Sequence, residues 1–471
     1  MAALLTDRFR VVLAENFRNR VVLGEEADPG DGIDPINLWL FFARSNDWGG
    51  GLPPDPTDNQ DAAFDIYDQM LGLKKISASD IRGVIRNNTW KSGTIYDIYR
   101  HDYGTEVTQN QYISGLSSEI KLYETNFYVV TSEFKVYKCL NNNNATASTE
   151  EPSSTSSAPF TTTDGYVWKY MYSVTASDFE KFKTDDYVPI PLQSVPGNEI
   201  LPANNFGGGI YNVVISAAGD GYEVNDVFDI IGDGQNAQFE VTSIAENGAI
   251  KSVRIINPGQ GYTFGTATPS PTGQTPDGSN ATFFPIISPK EGLANAINVE
   301  LGSYRLGLNA KIESEDFPFQ NDFSVVGIIY NPIVTTASSV AIGTKKMQLS
   351  AALPSVPNPD TIITQSSSGA SGKLIQYEIT DDAVPEYFIY YTQENIQGEG
   401  LNSAGQKIPF VAEEAIDIVN GGSTISGSIA ADGLTDPEIV RGSGEIIYID
   451  NRSPITRSTD QTEDFKIILE F

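Results

Sequence analysis

The chain has 471 residues, 40% of them hydrophobic, and carries 30 Lys plus Arg against 61 Asp plus Glu, for a formal net charge of −31. That length allows roughly two to four domains, and the charge repels phosphate, which excludes a nucleic-acid-binding surface. One Cys (Cys139) and one His (His101) exclude a disulfide framework, any multi-Cys metal site and any site needing two His ligands.

The opening residues show no basic stretch followed by a continuous apolar one, so no signal peptide is expected. Leu5, Phe9, Val12, Leu13 and Phe17 fall at helical spacing and predict a first helix. The apolar cluster LWLFFA (Leu38–Ala43) is far shorter than the roughly 18 residues of a membrane span. It continues as RSNDWGG, which sets Arg44 and Trp48 beside a glycine turn. Trp and Arg dominate protein–protein interfaces, so both are candidates for core or contact. A second helix is predicted over Asp61 to Leu71, with Phe64, Tyr67 and Met70 or Leu71 inward and Gly72 as its stop. A short third helix is predicted after Ser79, over Asp80, Ile81, Val84 and Ile85.

Beyond about residue 90 the pattern turns to β, in NQYISGL, NFYVVTS and FKVYKCL. The polar tract from Asn141 to Gly165 lacks the apolar residues of a core and predicts a long, partly mobile surface loop. DGYVWKYMYSV resumes strand character, and YVPIPLQSVPG closes that unit.

An internal repeat follows. IYNVVISAAGDGYEVNDVF aligns with IKSVRIINPGQGYTFGTAT at an offset of 40 residues, placing Gly221-Tyr222 on Gly261-Tyr262. Each copy reads as strand, Gly-x-Gly-Tyr turn, strand. The glycines suit positive-φ positions, and each Tyr suits packing on the neighbouring copy. After Pro285 strands return in INVELGSY and FSVVGIIYNPIV, then in GKLIQYEI and EYFIYYTQENI. The last segment alternates Phe465, Ile467, Leu469 and Phe471 with Lys466, Ile468 and Glu470, the period of a strand with one buried face. It is expected to close a domain whose other part lies near the N-terminus. Asn451-Arg452-Ser453-Pro454 is expected as a turn before it, with Pro454 ending the preceding strand. A few helices followed by many strands give an α+β or mainly β fold, with an N-terminal mixed α/β domain, β-sandwich-like domains and an inserted β-repeat module.

Catalytic patterns are sparse. His101 in YRHDYGTE has no recognisable triad around it. Ser132-Glu-Phe-Lys135 matches Ser-x-x-Lys in a β-rich segment, where the Lys would not sit one helical turn from the Ser. Asp220, Asp226, Asp229 and Asp233 are candidate oxygen ligands for Ca²⁺, although turn formation explains them as well. No catalytic residue, metal or cofactor is expected.

Several collinear motifs carry a resemblance. The ending GEIIYIDNRSPITRSTDQTEDFKIILEF resembles the C-terminal signature of the homodimeric baseplate wedge protein family of T-even-type contractile-tailed bacteriophages. The matching positions include Gly444, Glu445, Tyr448, Asn451, Arg452, Pro454 and the run Asp460 to Glu463. FFARSNDWGG with LPPDPTD, FKVYKCL and DGYVWKYMYSV resemble further segments of that family. The resemblance implies a non-enzymatic virion subunit of the tail baseplate, made in the bacterial cytoplasm. It implies a homodimer that binds other wedge proteins, with no nucleic-acid or membrane partner. The organisation expected on this basis is a mixed α/β domain over 1–125 completed by 440–471, and a β-sandwich-like domain over 126–204 with 286–330. An inserted module would occupy 205–285, and a further β-rich region 331–439. Arg44, Trp48, Tyr448 and Arg452 are the expected interface residues. The alternative is a receptor- or glycan-binding tail protein, in which Tyr222 and Tyr262 of the repeat module would stack on sugars.

Overall fold

A computed structural model describes residues 5–23, 35–44, 52–103, 121–192, 207–270, 277–313, 316–318, 321–393, 400–458 and 461–471. The chain is mainly β with few helices, the class its pattern predicts. It divides into two compact units. One comprises Met1–Asn16, Arg82–Gly307 and Ile468–Phe471, the other Phe17–Ile81 and Leu308–Ile467.

The second predicted helix ends earlier than expected, and two other predicted elements differ in type. The second helix is Gln60–Gln69, capped by the Asn59 side chain, which accepts from the Ala62 N–H. It ends at Gln69 because Met70, Leu71 and Leu73 are buried in a strand, Met70–Ile76. Gly72 is therefore no helix stop but a strand residue, where an added Cβ would lie 2.3 Å from the Phe317 ring. The expected third helix is only a turn of 3-10 helix, Ala78–Asp80, and a strand follows at once over Ile81–Arg86. There the β-branched Ile81, Val84 and Ile85 bury on both faces of the sheet, which a short helix could not achieve. INVELGSY contains a helix, Ile297–Leu301, rather than a strand. Ile297 and Leu301 lie four apart on its buried side, and Gly302 ends it at φ 70°.

In the unit holding residues 308–467, a five-stranded sheet runs in the order Val340–Ile342, Met70–Ile76, Leu38–Ala43, Phe323–Tyr330, Glu445–Ile455. Its central strand is the LWLFFA run, buried at every position. Such a run suits a strand covered on both faces. Gly327 leaves room for the Phe41 ring opposite it. The same unit contains a closed six-stranded barrel, from Lys345–Leu349 through Tyr387–Thr392, Ala370–Ile379, Ile362–Gln365, Ala415–Asn420 and Ser423–Thr435 back to the first strand. Met347, Ile363, Leu374, Ile389, Ile416 and Ile418 fill its interior. Closure leaves the barrel no open sheet edge.

In the unit holding residues 82–307, the sheet Tyr128–Val130, Lys135–Asn141, Val167–Ser173, Phe160–Thr161 packs Tyr137, Tyr166 and Trp168 into an aromatic core. The tract from Asn141 to Gly165 is not a loose loop. Its organising group is the Asp164 carboxylate, which accepts from Ser148 Oγ, Thr149 N, Glu150 N, Thr162 Oγ1 and Tyr166 N. Burial disfavours that charge, yet these donors outweigh it and hold the Asp164 pKa below the ordinary carboxylate value. Polar bonding thus orders a segment that an apolar core could not.

The repeat module is interlocked. Copy one contributes Ile210–Asp220, Val227–Gly232 and Gln235–Ile244, and copy two Ile250–Gln260, Gly265–Pro269 and Ser279–Ile287. The first strand of each copy pairs with the last strand of the other, and the two middle strands pair together. Gly219 and Gly259, with φ of 62° and 60°, start equivalent turns. Gly221 and Tyr222 donate their backbone N–H groups to Asn247 and Gly248, as Gly261 and Tyr262 do to Gly207 and Gly208.

The segment Glu463–Glu470 is a strand, as its alternation predicts, and its sheet neighbour is Arg305–Ile312 from mid-chain. The preceding Asn451 to Pro454 run is not a turn. It continues the strand Glu445–Ile455, an edge strand, where a residue without an N–H is tolerated.

Candidate assembly surfaces

The first helix, Asp7–Leu23, buries Val11, Ala14 and Val21. Most of the stripe singled out by its spacing points the other way: Leu5 is 66%, Phe9 46%, Val12 45% and Leu13 39% exposed, while its fifth member, Phe17, is half-buried. Phe9 lies three residues from Val12 and four from Leu13, so these three share one side of the helix, and Leu5 lies just before its first residue. An apolar face of this kind, not covered by the described residues of its own chain, is a candidate contact surface.

Arg44, at the end of the central strand Leu38–Ala43, donates its backbone N–H to Gln69 and its guanidinium to the Asp360 carboxylate, which also faces Lys373 at 3.7 Å. Its side chain is thus engaged within the chain. Trp48 lies outside the described residues. Tyr448 and Arg452 both sit on Glu445–Ile455. Arg452 Nε donates to Asp450 Oδ2 at 2.7 Å, and burial, with Asp450 nearby, raises the Tyr448 pKa. Among the described residues this strand has no strand neighbour on its outer side, and Ile447, Arg452, Ser453 and Pro454 are exposed along it. The terminal signature motif therefore forms a sheet edge, the kind of surface that accepts a further chain.

Asp68 joins two distant segments of the same unit. It accepts a bidentate pair from Arg441, at 2.6 and 3.0 Å, and faces the Lys407 ammonium. Beside it the Tyr67 hydroxyl donates to the Ser443 carbonyl, and burial raises the Tyr67 pKa to about 12. Sequence spacing gives no sign of this cluster, because its partners are more than 300 residues apart.

The residues weighed for chemistry serve local structure. The His101 ring stacks on Phe284 at 5.6 Å and its Nδ1 accepts from the Ile287 N–H at 3.2 Å, while burial lowers its pKa. Ser132 bonds to Glu151, and Lys135 to Glu133. Cys139 is buried, which pushes its thiol pKa well up. Asp220, Asp226, Asp229 and Asp233 bond separately to Ser279, Glu223, Gln238 and Thr263, and among the described residues no cluster of His, Cys, Asp or Glu could hold a metal ion. No described helix is long and apolar enough to cross a membrane.

The repeat tyrosines are not available for sugar stacking. Tyr222 is 6% and Tyr262 2% exposed, because each ring is locked against the other copy. The Tyr222 hydroxyl accepts from Ala281 N and that of Tyr262 from Ala237 N, the latter also donating to the Ile230 carbonyl. Cβ atoms at Gly278 and Gly234 would lie 2.5 and 2.4 Å from the two rings. Tyr262→Phe is expected to cost about 1–3 kcal/mol, since it leaves the Ala237 N–H buried and unpaired. Thermal melting of the variant checks this.

The described segments agree with the comparisons. The family model Phage-Gp8 (Bacteriophage T4, Gp8) matches residues 3–148 and 406–471. Baseplate wedge protein gp8 of Enterobacteria phage T4 is 23% identical over 210 residues, which are 40% of this chain and 60% of that protein. The chain thus spans about 60% of the length of the curated relative it matches. The family resemblance read from the motifs is borne out: over its two outer segments the chain is similar to a T4-type baseplate wedge protein. The first matched segment ends at residue 148, so DGYVWKYMYSV and the repeat module lie outside the match. The exposed stripe, the sheet edge and both residues of the Asp68–Arg441 pair lie inside it.

Proposed function

We propose that this chain is a structural subunit of a phage tail baseplate wedge, acting as a homodimer and through contacts with other wedge proteins, without catalysis. It is made in the host bacterial cytoplasm and resides in the virion baseplate. The observation that carries this reading is the uncovered apolar face of Leu5, Phe9, Val12 and Leu13, within the family-matched sequence. A second copy of the chain covers that face. The open edge of Glu445–Ile455, with Tyr448 and Arg452, meets a different wedge protein. Arg44 is an internal brace rather than a contact, through its pair with Asp360.

Burying a large apolar side chain is worth about 1.5–3 kcal/mol. Phe9→Asp with Leu13→Asp, made in both copies, therefore weakens the dimer by at least about a hundredfold. Light scattering of the purified protein at micromolar concentration is expected to give twice the chain mass of 51.1 kDa, falling to the single-chain mass in the double variant with an unchanged melting temperature. A single-chain mass for the unaltered protein contradicts the reading.

A further inference from the structure

A second feature belongs to the unit that holds residues 82–307, and its lining shares no residue with the surfaces above. A cleft of about 1110 Å³ separates the Asn141–Lys169 region from the first strands of the two repeat copies. Its size suits a small-molecule or oligomer ligand. In a chain with 61 Asp and Glu, no carboxylate stands among the described residues lining it. It does present Lys169, on the strand Val167–Ser173, and Arg254, which pairs with Glu240.

Lys169 is 95% buried by its surroundings, being 5% exposed, and donates to the Ser157 carbonyl at 2.6 Å. It has no ion-pair partner among the described residues. The nearby Glu300 is committed to Lys138. Burial lowers the Lys169 pKa, the sign of a charge lacking its counterion. A buried cation without a partner is costly, and an anion bound in the cleft would supply one.

The walls are polar and two-sided. Asn141 Nδ2 donates to Asn212 Oδ1, Asn143 Nδ2 to the Asp164 carbonyl and Asn144 Nδ2 to the Lys251 carbonyl. The Asn212 amide hydrogens and the Asn143 and Asn144 amide oxygens have no partner among the described residues. Free donors on one wall thus face free acceptors on the other, which suits hydroxyl groups, since each hydroxyl both gives and takes a hydrogen bond. Tyr170 and Tyr211 add ring surface for the C–H faces of a sugar.

We propose that this cleft binds an oligosaccharide bearing an anionic group, with Lys169 meeting the anion and the side chains of Asn143, Asn144 and Asn212 meeting the hydroxyls. An acidic peptide would also satisfy Lys169, but its backbone would leave the side-chain amides of the two walls poorly used. Most of the lining lies beyond the family-matched segments, and the site does not depend on the wedge role.

The test uses calorimetry of the full-length protein at physiological salt with three probes: hexagalacturonate, neutral maltohexaose and a hexaglutamate peptide. Hexagalacturonate is expected to bind, and maltohexaose to bind at least about tenfold more weakly, the worth of one charge-assisted hydrogen bond. Lys169→Met is expected to weaken hexagalacturonate by about tenfold or more. Thr155→Trp, an exposed position on the cleft lining, is expected to block binding without touching the buried lysine. Should Lys169→Met melt early, the Thr155→Trp variant alone decides. Failure of hexagalacturonate to bind, binding unchanged by the deciding variant, or equal binding of hexaglutamate overturns the assignment.

Discussion

Glu300→Gln is expected to lower the unfolding temperature by on the order of 10 °C, the largest effect of any single substitution considered. Glu300 sits on the short helix Ile297–Leu301 and its carboxylate meets the Lys138 ammonium, both side chains almost wholly buried. The other Glu300 oxygen accepts from Asn295 N at 3.0 Å, and the ammonium lies 4.3 Å from the centre of the Tyr99 ring. Every partner of the pair is thus inside the protein. Removing one charge leaves Lys138 buried and uncompensated, at a cost of about 3–5 kcal/mol. Lys169 nearby aggravates this, since the Glu300 charge also favours its charged form. Lys138→Met combined with Glu300→Leu is expected to recover most of the loss, because a buried ion pair replaced whole by apolar groups is often near neutral. Scanning calorimetry of the two single variants and the double variant measures the coupling. Equal melting of Glu300→Gln and the unaltered protein would show that the pair is not buried in solution.

Deleting Ile467 to Phe471 is expected to cost about 3 kcal/mol or more and to reduce solubility. Ile467 is buried, and so is Phe465 just before it, 5.9 Å from the Phe323 ring. Glu470 accepts from Arg10 and from Arg305, and the Phe471 N–H donates to the Tyr304 carbonyl. Burial opposes the Glu470 charge, but the two arginines win and hold its pKa below the usual glutamate value. A folded-state pKa below the unfolded one means stability that is present above the unfolded pKa and lost as pH falls through the folded one. The tail therefore contributes least in acid, and the difference between the full and shortened chains narrows as pH drops below the ordinary glutamate range. A shortened chain that stays soluble and equally heat-stable near neutral pH contradicts this account.

Elements whose burial follows one simple period were legible in the sequence. The final alternating strand and the tandem repeat with its glycine turns are of this kind. Failures came where tertiary burial overrode local preference. Met70 and Leu71 continue a helical spacing, yet the strand next to the central one claims them. Ile297 to Leu301 has β-branched residues, yet Glu300 must reach Lys138 from a helix. Pro454 signals a stop, but an edge strand needs no N–H there. Among the candidate contact residues, the periodic stripe of the first helix was visible, but its outward direction was not, because periodicity defines a face without saying what it faces. The Asp68–Arg441 pair and the Lys169 cleft depend on segments distant in the chain, and no spacing rule reaches them.

The central claim is assembly, and sedimentation tests it most directly. The purified chain is expected to sediment as a dimer, and to shift to a larger species when mixed with the other wedge proteins of the same phage. The Phe9→Asp, Leu13→Asp variant is expected to remain a folded monomer. A chain that sediments at its single-chain mass, and does not move when those proteins are added, would contradict the account.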